Sequence, residues 1–178
     1  ELMQAIRNSG FEPSVRLLSA HAADESSGFS SGRYSMDDVR RMLELEAGDR
    51  LIEHDKVFFA DDEPCAFCRD YFGASVAGGE AGLDELERYD DSLYRFVYNR
   101  SGRRVEWDKV EIDVAAPDDL PAAFTSQTPR GASRPLLCVR SVNYDQDSRP
   151  VVCAVEYVDT SVIRYNLVRQ KAVDYQRQ

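Results

Sequence analysis

Residues 134–169, RPLLCVRSVNYDQDSRPVVCAVEYVDTSVIRYNLVR, decide the fold. Two runs rich in β-branched residues flank the polar turn Asp145-Gln146-Asp147-Ser148-Arg149-Pro150, and Ile163 to Val168 follows as a third run. The stretch therefore predicts three consecutive β-strands. The same phrase occurs earlier in shorter form at residues 50–72, RLIEHDKVFFADDEPCAFCRDYF. Setting Pro64 beside Pro150 brings Asp70-Tyr71 beside Glu156-Tyr157. With one residue fewer in the first turn, Leu51-Ile52 falls beside Leu136-Leu137, Val57 beside Val142 and Phe59 beside Tyr144. The chain carries an internally duplicated hairpin.

Working outward, Leu2, Met3, Ala5 and Ile6 form a helical stripe that stops before Gly10. Pro13 to Ala22 reads as a strand with His21 at its surface end, and Asp24 to Arg33 as a Ser- and Gly-rich loop. Ser35 caps a helix whose inner face is Val39, Met42 and Leu43 and which Gly48 stops. Residues 74–82 read as a small-residue loop, and Leu83, Leu86 and Tyr89 as a helical turn. Asp91 or Ser92 then caps a helix with Leu93, Phe96 and Val97 inward, broken at Ser101-Gly102. Val105 to Ala115 is a long strand with Val110, Ile112 and Val114 on one side and Glu111 and Asp113 on the other. Pro117-Asp118-Asp119 begins a short helix carrying Leu120, Ala123 and Phe124. Hairpins dominate over βαβ crossovers. The expected class is α+β, an antiparallel sheet built from the duplicated hairpin with helices packed on it.

At 178 residues the chain can bury about 70% of its unfolded surface, so a single domain over 1–178 is expected. It begins with Glu1 rather than Met, which sets the expectation of a longer protein. No apolar run approaches the roughly 20 residues of a membrane span, and no basic-then-apolar leader is visible. A net charge of −10 argues against nucleic-acid binding by this chain, because phosphate neutralisation needs a basic face. Four Cys without a leader suggest reduced thiols in the cytosol. Cys65 and Cys68 have CxxC spacing but lie in a strand pattern. There, residues three apart point to opposite faces, so structural thiols are expected rather than a metal or redox pair.

No Ser-His-acid set, phosphate loop, dinucleotide fingerprint or HExxH is legible, so no catalytic residue, metal or cofactor is assigned. What remains are charges on apolar faces. Arg140 interrupts the face Leu136-Cys138-Val142-Tyr144, and Glu156 is flanked on its face by Ala154 and Val158. Such groups need a partner or a ligand. The two could pair across the hairpin, or each could meet an effector. Lys56 shares a face with Ile52, His54 and Phe58, a mix that suits a pocket wall as well as a solvated surface.

The order of elements and the duplicated hairpin resemble the UTRA domain, the effector-binding half of HutC-type GntR transcription regulators. Three phrases carry the likeness: residues 35–64, SMDDVRRMLELEAGDRLIEHDKVFFADDEP; residues 92–112, SLYRFVYNRSGRRVEWDKVEI; and residues 134–168. The resemblance implies a chorismate-lyase-like fold, a small-molecule effector, homodimerisation, and DNA binding through a winged helix-turn-helix expected upstream of Glu1. It also implies site residues. Family members that bind phosphorylated sugars use two basic positions on the first hairpin strand, matched here by Lys56 and Phe58. Their acid on the returning strand falls at Cys68, and the serine opening the central helix at Ser92. The acid of the last hairpin falls at Glu156. The family's ending, Asp-Arg-Tyr-Arg-Phe, is represented by Arg164 and Tyr165 in Ser161-Val162-Ile163-Arg164-Tyr165. Arg140 is grouped with these as a facing wall. The departures at Phe58 and Cys68 argue against an amino-sugar phosphate and for a less charged or more apolar effector. Beside the sensor stand two alternatives: an enzyme on the lyase fold, and a dimerisation domain without ligand.

Overall fold

The structure, a computed structural model, describes residues 2–24, 33–89, 92–128 and 133–165. Six strands form one antiparallel sheet: β1 (Pro13–Ala22), β2 (Leu51–Ala60), β3 (Glu63–Gly73), β4 (Val105–Ala115), β5 (Leu136–Asp145) and β6 (Pro150–Val158). Their order across the sheet is β1-β2-β3-β6-β5-β4. Two three-stranded meanders thus meet at β3 and β6, where Cys68 pairs with Glu156 and Asp70 with Ala154. The duplication equates Asp70 with Glu156 and Cys68 with Ala154, so exchanging the halves maps this pairing onto itself. The outer registers follow the same local two-fold. His54 pairs with Asp70 as Val139 pairs with Glu156, and Lys56 pairs with Cys68 as Ser141 pairs with Ala154.

Each hairpin is closed by short-range chemistry. Asp61 and Asp62 both take positive φ, 48° and 69°, as a two-residue turn matching the strand twist requires. In the second hairpin the buried Asp145 carboxylate accepts from the backbone N–H groups of Asp147 and Arg149, both at 2.9 Å. Arg103 Nε also donates to it, at 2.6 Å. A side chain that mimics a backbone turn in this way fixes the register of the strands it joins.

Helices cover both faces. On one face α1 (Leu2–Asn8), α3 (Gly79–Leu86) and α4 (Leu93–Ser101) lay Ile6, Leu86, Phe96 and Val97 on Ile52, Phe72 and Val152. On the other, α2 (Met36–Met42) and α5 (Ala122–Thr125) bring Val39, Leu43 and Phe124 against Val57, Phe67, Tyr71 and Tyr157. Central strands enclosed on both sides lose the simple polar–apolar alternation, and nine of the ten residues of β2 are buried. Each fully buried large side chain contributes roughly 1.5–3 kcal/mol. Ser35 and Asp38 form a reciprocal capping box at the start of α2.

Several local expectations are corrected. Helix α2 closes at Met42 because Glu44 adopts φ 51°, a left-handed terminus ahead of Gly48. Residues 74–82 are a 3-10 turn, Ala74–Ala77, followed by the start of α3. Their small side chains serve packing: a Cβ on Gly82 would lie 1.6 Å from the Ala77 carbonyl oxygen. The short helix after Pro117 is split into a 3-10 turn, Pro117–Asp119, and α5, with Leu120 extended between them. The third strand is not formed at Ile163–Tyr165: the chain turns after β6, with the Val162 and Ile163 amides on the Asp159 carbonyl. Positions 166–168 of that run lie outside the described residues, as do Asp91 and most of the 24–33 loop. Finally, a bulge at Cys65 breaks the alternation, so Cys65 and Cys68 end in the same core layer. Burial pushes the Cys65 thiol up to about 12.

Candidate functional site

The centre of the α1/α3/α4 face is polar beneath an otherwise apolar layer. Asp70 lies at its floor, 3% exposed. Its Oδ2 is 3.1 Å from Lys56 Nζ and 3.3 Å from His54 Nδ1, and its Oδ1 accepts from the Cys68 thiol at 3.3 Å. The β pleat brings these groups together, since His54 and Lys56 sit on one side of β2 and Cys68 and Asp70 on the same side of β3. Burial opposes ionisation of Asp70. The Lys56 ammonium and the His54 contact outweigh it and hold the carboxyl well below its ordinary range. Burial also works against the charged Lys56, and Asp70 more than compensates. His54 is pushed down by burial and stays neutral, so the tautomer facing Asp70 carries its proton on Nδ1.

Above this floor is a cavity of about 250 Å³. It is lined by Lys56, Phe58, Cys68, Asp70 and Glu156 of the sheet, Val15 of β1, Leu2 and Met3 of α1, and Ser92, Leu93, Tyr94 and Arg95 at the start of α4. Lys56 Nζ stands 5.9 Å from the centroid of the Phe58 ring. The first turn of α4 presents the positive end of a helix dipole to the same space. Glu156 accepts from the Tyr165 hydroxyl at 2.7 Å. Burial pushes its carboxyl up. The Tyr165 bond counters this, and the Asp70 charge adds to the rise more than Lys56 relieves it.

Five expected site residues, Lys56, Phe58, Cys68, Ser92 and Glu156, therefore line one cavity, and Tyr165 reaches it through Glu156. Arg164 is exposed and is not among the lining residues. Arg140 belongs elsewhere. It pairs with Val155, whose side chain is on the opposite face from Glu156, so the two do not meet. Its Nη2 lies 3.5 Å from Asp113, in a depression shared with Tyr34, Lys109, Glu111 and Tyr144. The duplication carries the signal for this: Val57 beside Val142 sets Asp55, not Lys56, beside Arg140. Asp55 also faces away from the cavity, bonded to Arg69 at 2.6 and 2.7 Å. Sequence reasoning missed Asp70, two positions beyond Cys68 and so on the same side of β3, and the lining residues Leu2, Met3, Val15, Leu93, Tyr94 and Arg95.

Among the described residues no group of three or more His, Cys, Asp and Glu could hold a metal ion. None of the described helices is long and apolar enough to cross a membrane.

A six-stranded antiparallel sheet with a helix-roofed, metabolite-sized cavity over β1, β2, β3 and the adjoining β6 is the frame of a ligand-binding domain. The UTRA domain model matches residues 33–164, and the chain belongs to that family. Solved structures share the fold. The effector domain of PhnF from Mycobacterium smegmatis superposes with a TM-score of 0.71 at 20% identity, covering 96% of this chain and 95% of that one. The ligand-binding domain of a protein assigned to the GntR transcriptional regulators, from Bordetella bronchiseptica, gives 0.69 at 17% identity, covering 89% and 90%. The effector-binding domain of the Bacillus subtilis trehalose repressor TreR gives 0.64 at 12% identity, covering 90% and 99%. No curated protein sequence matches the chain.

Proposed function

We propose that this chain is the effector-binding and dimerisation half of a bacterial, cytoplasmic HutC-type GntR regulator. It senses a small metabolite and passes the event to an N-terminal winged helix-turn-helix that contacts DNA. The observation that carries this reading is the cavity. Its walls come from α1, β1, the central strands and the first turn of α4, so a ligand touching all of them would change how they sit together. Contacts that differ between two arrangements of the domain supply the coupling free energy that allostery needs. The acidity of this chain fits the same division of labour, because phosphate contacts would belong to the upstream module.

Dimerisation draws support from β4. This edge strand leaves Val110, Ile112 and Val114 on one face at 43, 60 and 67% exposure. Among the described residues no strand pairs with the outer edge of β4, and an exposed apolar face at such an edge is one that a second copy of the chain would cover. We read the domain as non-catalytic. A lyase site would need strong cationic anchors for two carboxylates, whereas Lys56 is already engaged by Asp70.

The test is a thermal-shift screen of small metabolites on this domain, followed by DNA-binding titrations of the full-length protein. Compounds that stabilise the domain should change DNA affinity several-fold. A broad screen without a stabilising compound would overturn the sensor reading.

A further inference from the structure

We propose that the effector carries a positively charged nitrogen, an ammonium group that docks on the Glu156 carboxylate. This rests on reading the cavity as the effector site and names the chemistry it selects. The argument comes from the local two-fold. Asp70 and Glu156 are equivalent positions facing one cavity, yet their surroundings differ. Asp70 receives Lys56, His54 and the Cys68 thiol. At the matching places around Glu156 stand Ser141, Val139 and Ala154. None of these can neutralise a carboxylate.

What Glu156 does receive is one neutral hydrogen bond, on Oε2, from Tyr165. Among the described residues no Lys, Arg or His lies within ion-pair distance of it. The charged and titratable groups that share its surroundings are Asp70, Lys56, Cys68, Tyr165, the amino terminus of the 178-residue chain and, at the exposed start of α4, Arg95. Lys56 is tied to Asp70, and the Asp70 charge makes a second anion beside it harder to hold. A half-buried carboxylate with a single donor, beside a second anion, is poorly compensated. An ammonium supplies both what is missing, a compensating charge, and up to three donors. The carbon skeleton would lie against Val15, Phe58 and Met3. Sugar phosphates bring the opposite charge to this end of the cavity.

Thermal shift and calorimetry on the 178-residue chain at neutral pH decide the matter. The probes are ethanolamine, γ-aminobutyrate and putrescine, their N-acetyl derivatives (N,N′-diacetyl for putrescine, so that no amine remains), and inorganic phosphate. Amines should stabilise the protein and their N-acetyl derivatives, which lack the charge, should not. Glu156→Gln should weaken amine binding about 30-fold or more, the loss expected when one partner of a buried charge pair is removed. If that variant folds poorly, the amine against N-acetyl comparison on the unaltered chain decides alone. Stabilisation by phosphate only, or undiminished amine binding by the variant, would overturn the ammonium assignment and leave the sensor reading intact. No shift with any probe would also overturn the assignment, while the sensor reading would then stand or fall on the wider metabolite screen.

Discussion

The two halves of the sheet share one backbone plan and differ in what they do with charge and cover. In the first half β2 is enclosed on both faces, and its polar residues are paired: Lys56 with Asp70 on the cavity side, Asp55 with Arg69 on the other. In the second half β4 is exposed along nearly its whole length, and among the described residues no side-chain cation pairs with Glu156 as Lys56 does with its counterpart. Duplication fixed where two acids point. The difference between Lys56 and Ser141 at equivalent positions decides which acid has an internal cation. The lesson is that a symmetric scaffold makes an asymmetric site by changing neighbours, not strands.

The comparison can be broken by removing the first half's cation. Lys56→Met leaves Asp70 buried with only His54 and Cys68 as donors, and should lower stability by about 3–5 kcal/mol in urea unfolding, the range for a broken buried pair. Glu156→Gln, at the equivalent acid, should be neutral or stabilising within about 1 kcal/mol, because it removes a poorly compensated charge. Equal losses in the two variants would mean that the halves do not differ as described.

Acidification sharpens the contrast because the signs are opposite. Asp70 has its folded-state value depressed, so its contribution is complete above the ordinary carboxylate value of 3.8 and is lost as pH falls below it. Glu156 has a raised folded-state value, so its cost is present at neutral pH and disappears as pH falls toward 4.5. From neutral pH toward pH 4.5 Glu156 alone should add a small gain, set against the loss from His54, whose lowered folded-state value costs stability below its ordinary 6.5; the difference between the unaltered chain and Glu156→Gln isolates the Glu156 part. Urea midpoints measured across this range would show it.

A transplant tests the symmetry directly. Ser141→Lys puts an ammonium where Lys56 stands in the other half, diagonal to Glu156 as Lys56 is to Asp70. It should change stability by no more than about 1 kcal/mol and abolish stabilisation by ethanolamine, since the protein would carry its own cation. The smallest effect belongs to Arg140→Ala. That residue lies on the far face, so amine response should be unchanged in the same thermal-shift assay. Separately, Ile112→Glu on the exposed β4 edge should shift the chain to monomer in analytical ultracentrifugation if a second copy pairs there.

Much of the architecture was legible because β-pairing is periodic. Proline, an acid and tyrosine recurring at one spacing exposed the duplicated hairpin, and the six strands expected before Ile163 follow from runs of β-branched residues closed by turn residues. The misses have local causes. Glu44 ended α2 through a left-handed conformation that its side chain does not advertise. A bulge at Cys65 defeated the two-residue period, and small residues at 74–82 turned out to be packing surfaces rather than a loop. In the site, Lys56, Phe58, Cys68, Ser92 and Glu156 converge, whereas Arg140 does not, because strand parity and not hydrophobic context decides which face a side chain joins.

The sequence by itself determined the class of fold, the duplication and the location of one acid per repeat, since each depends on spacing along the chain. Only the tertiary structure decided that Asp70 and Glu156 are symmetry mates across β3 and β6, that Lys56 neutralises one of them, and that the other faces the cavity. Charge compensation depends on distances between strands that are far apart in sequence, and those distances exist only once the sheet has closed.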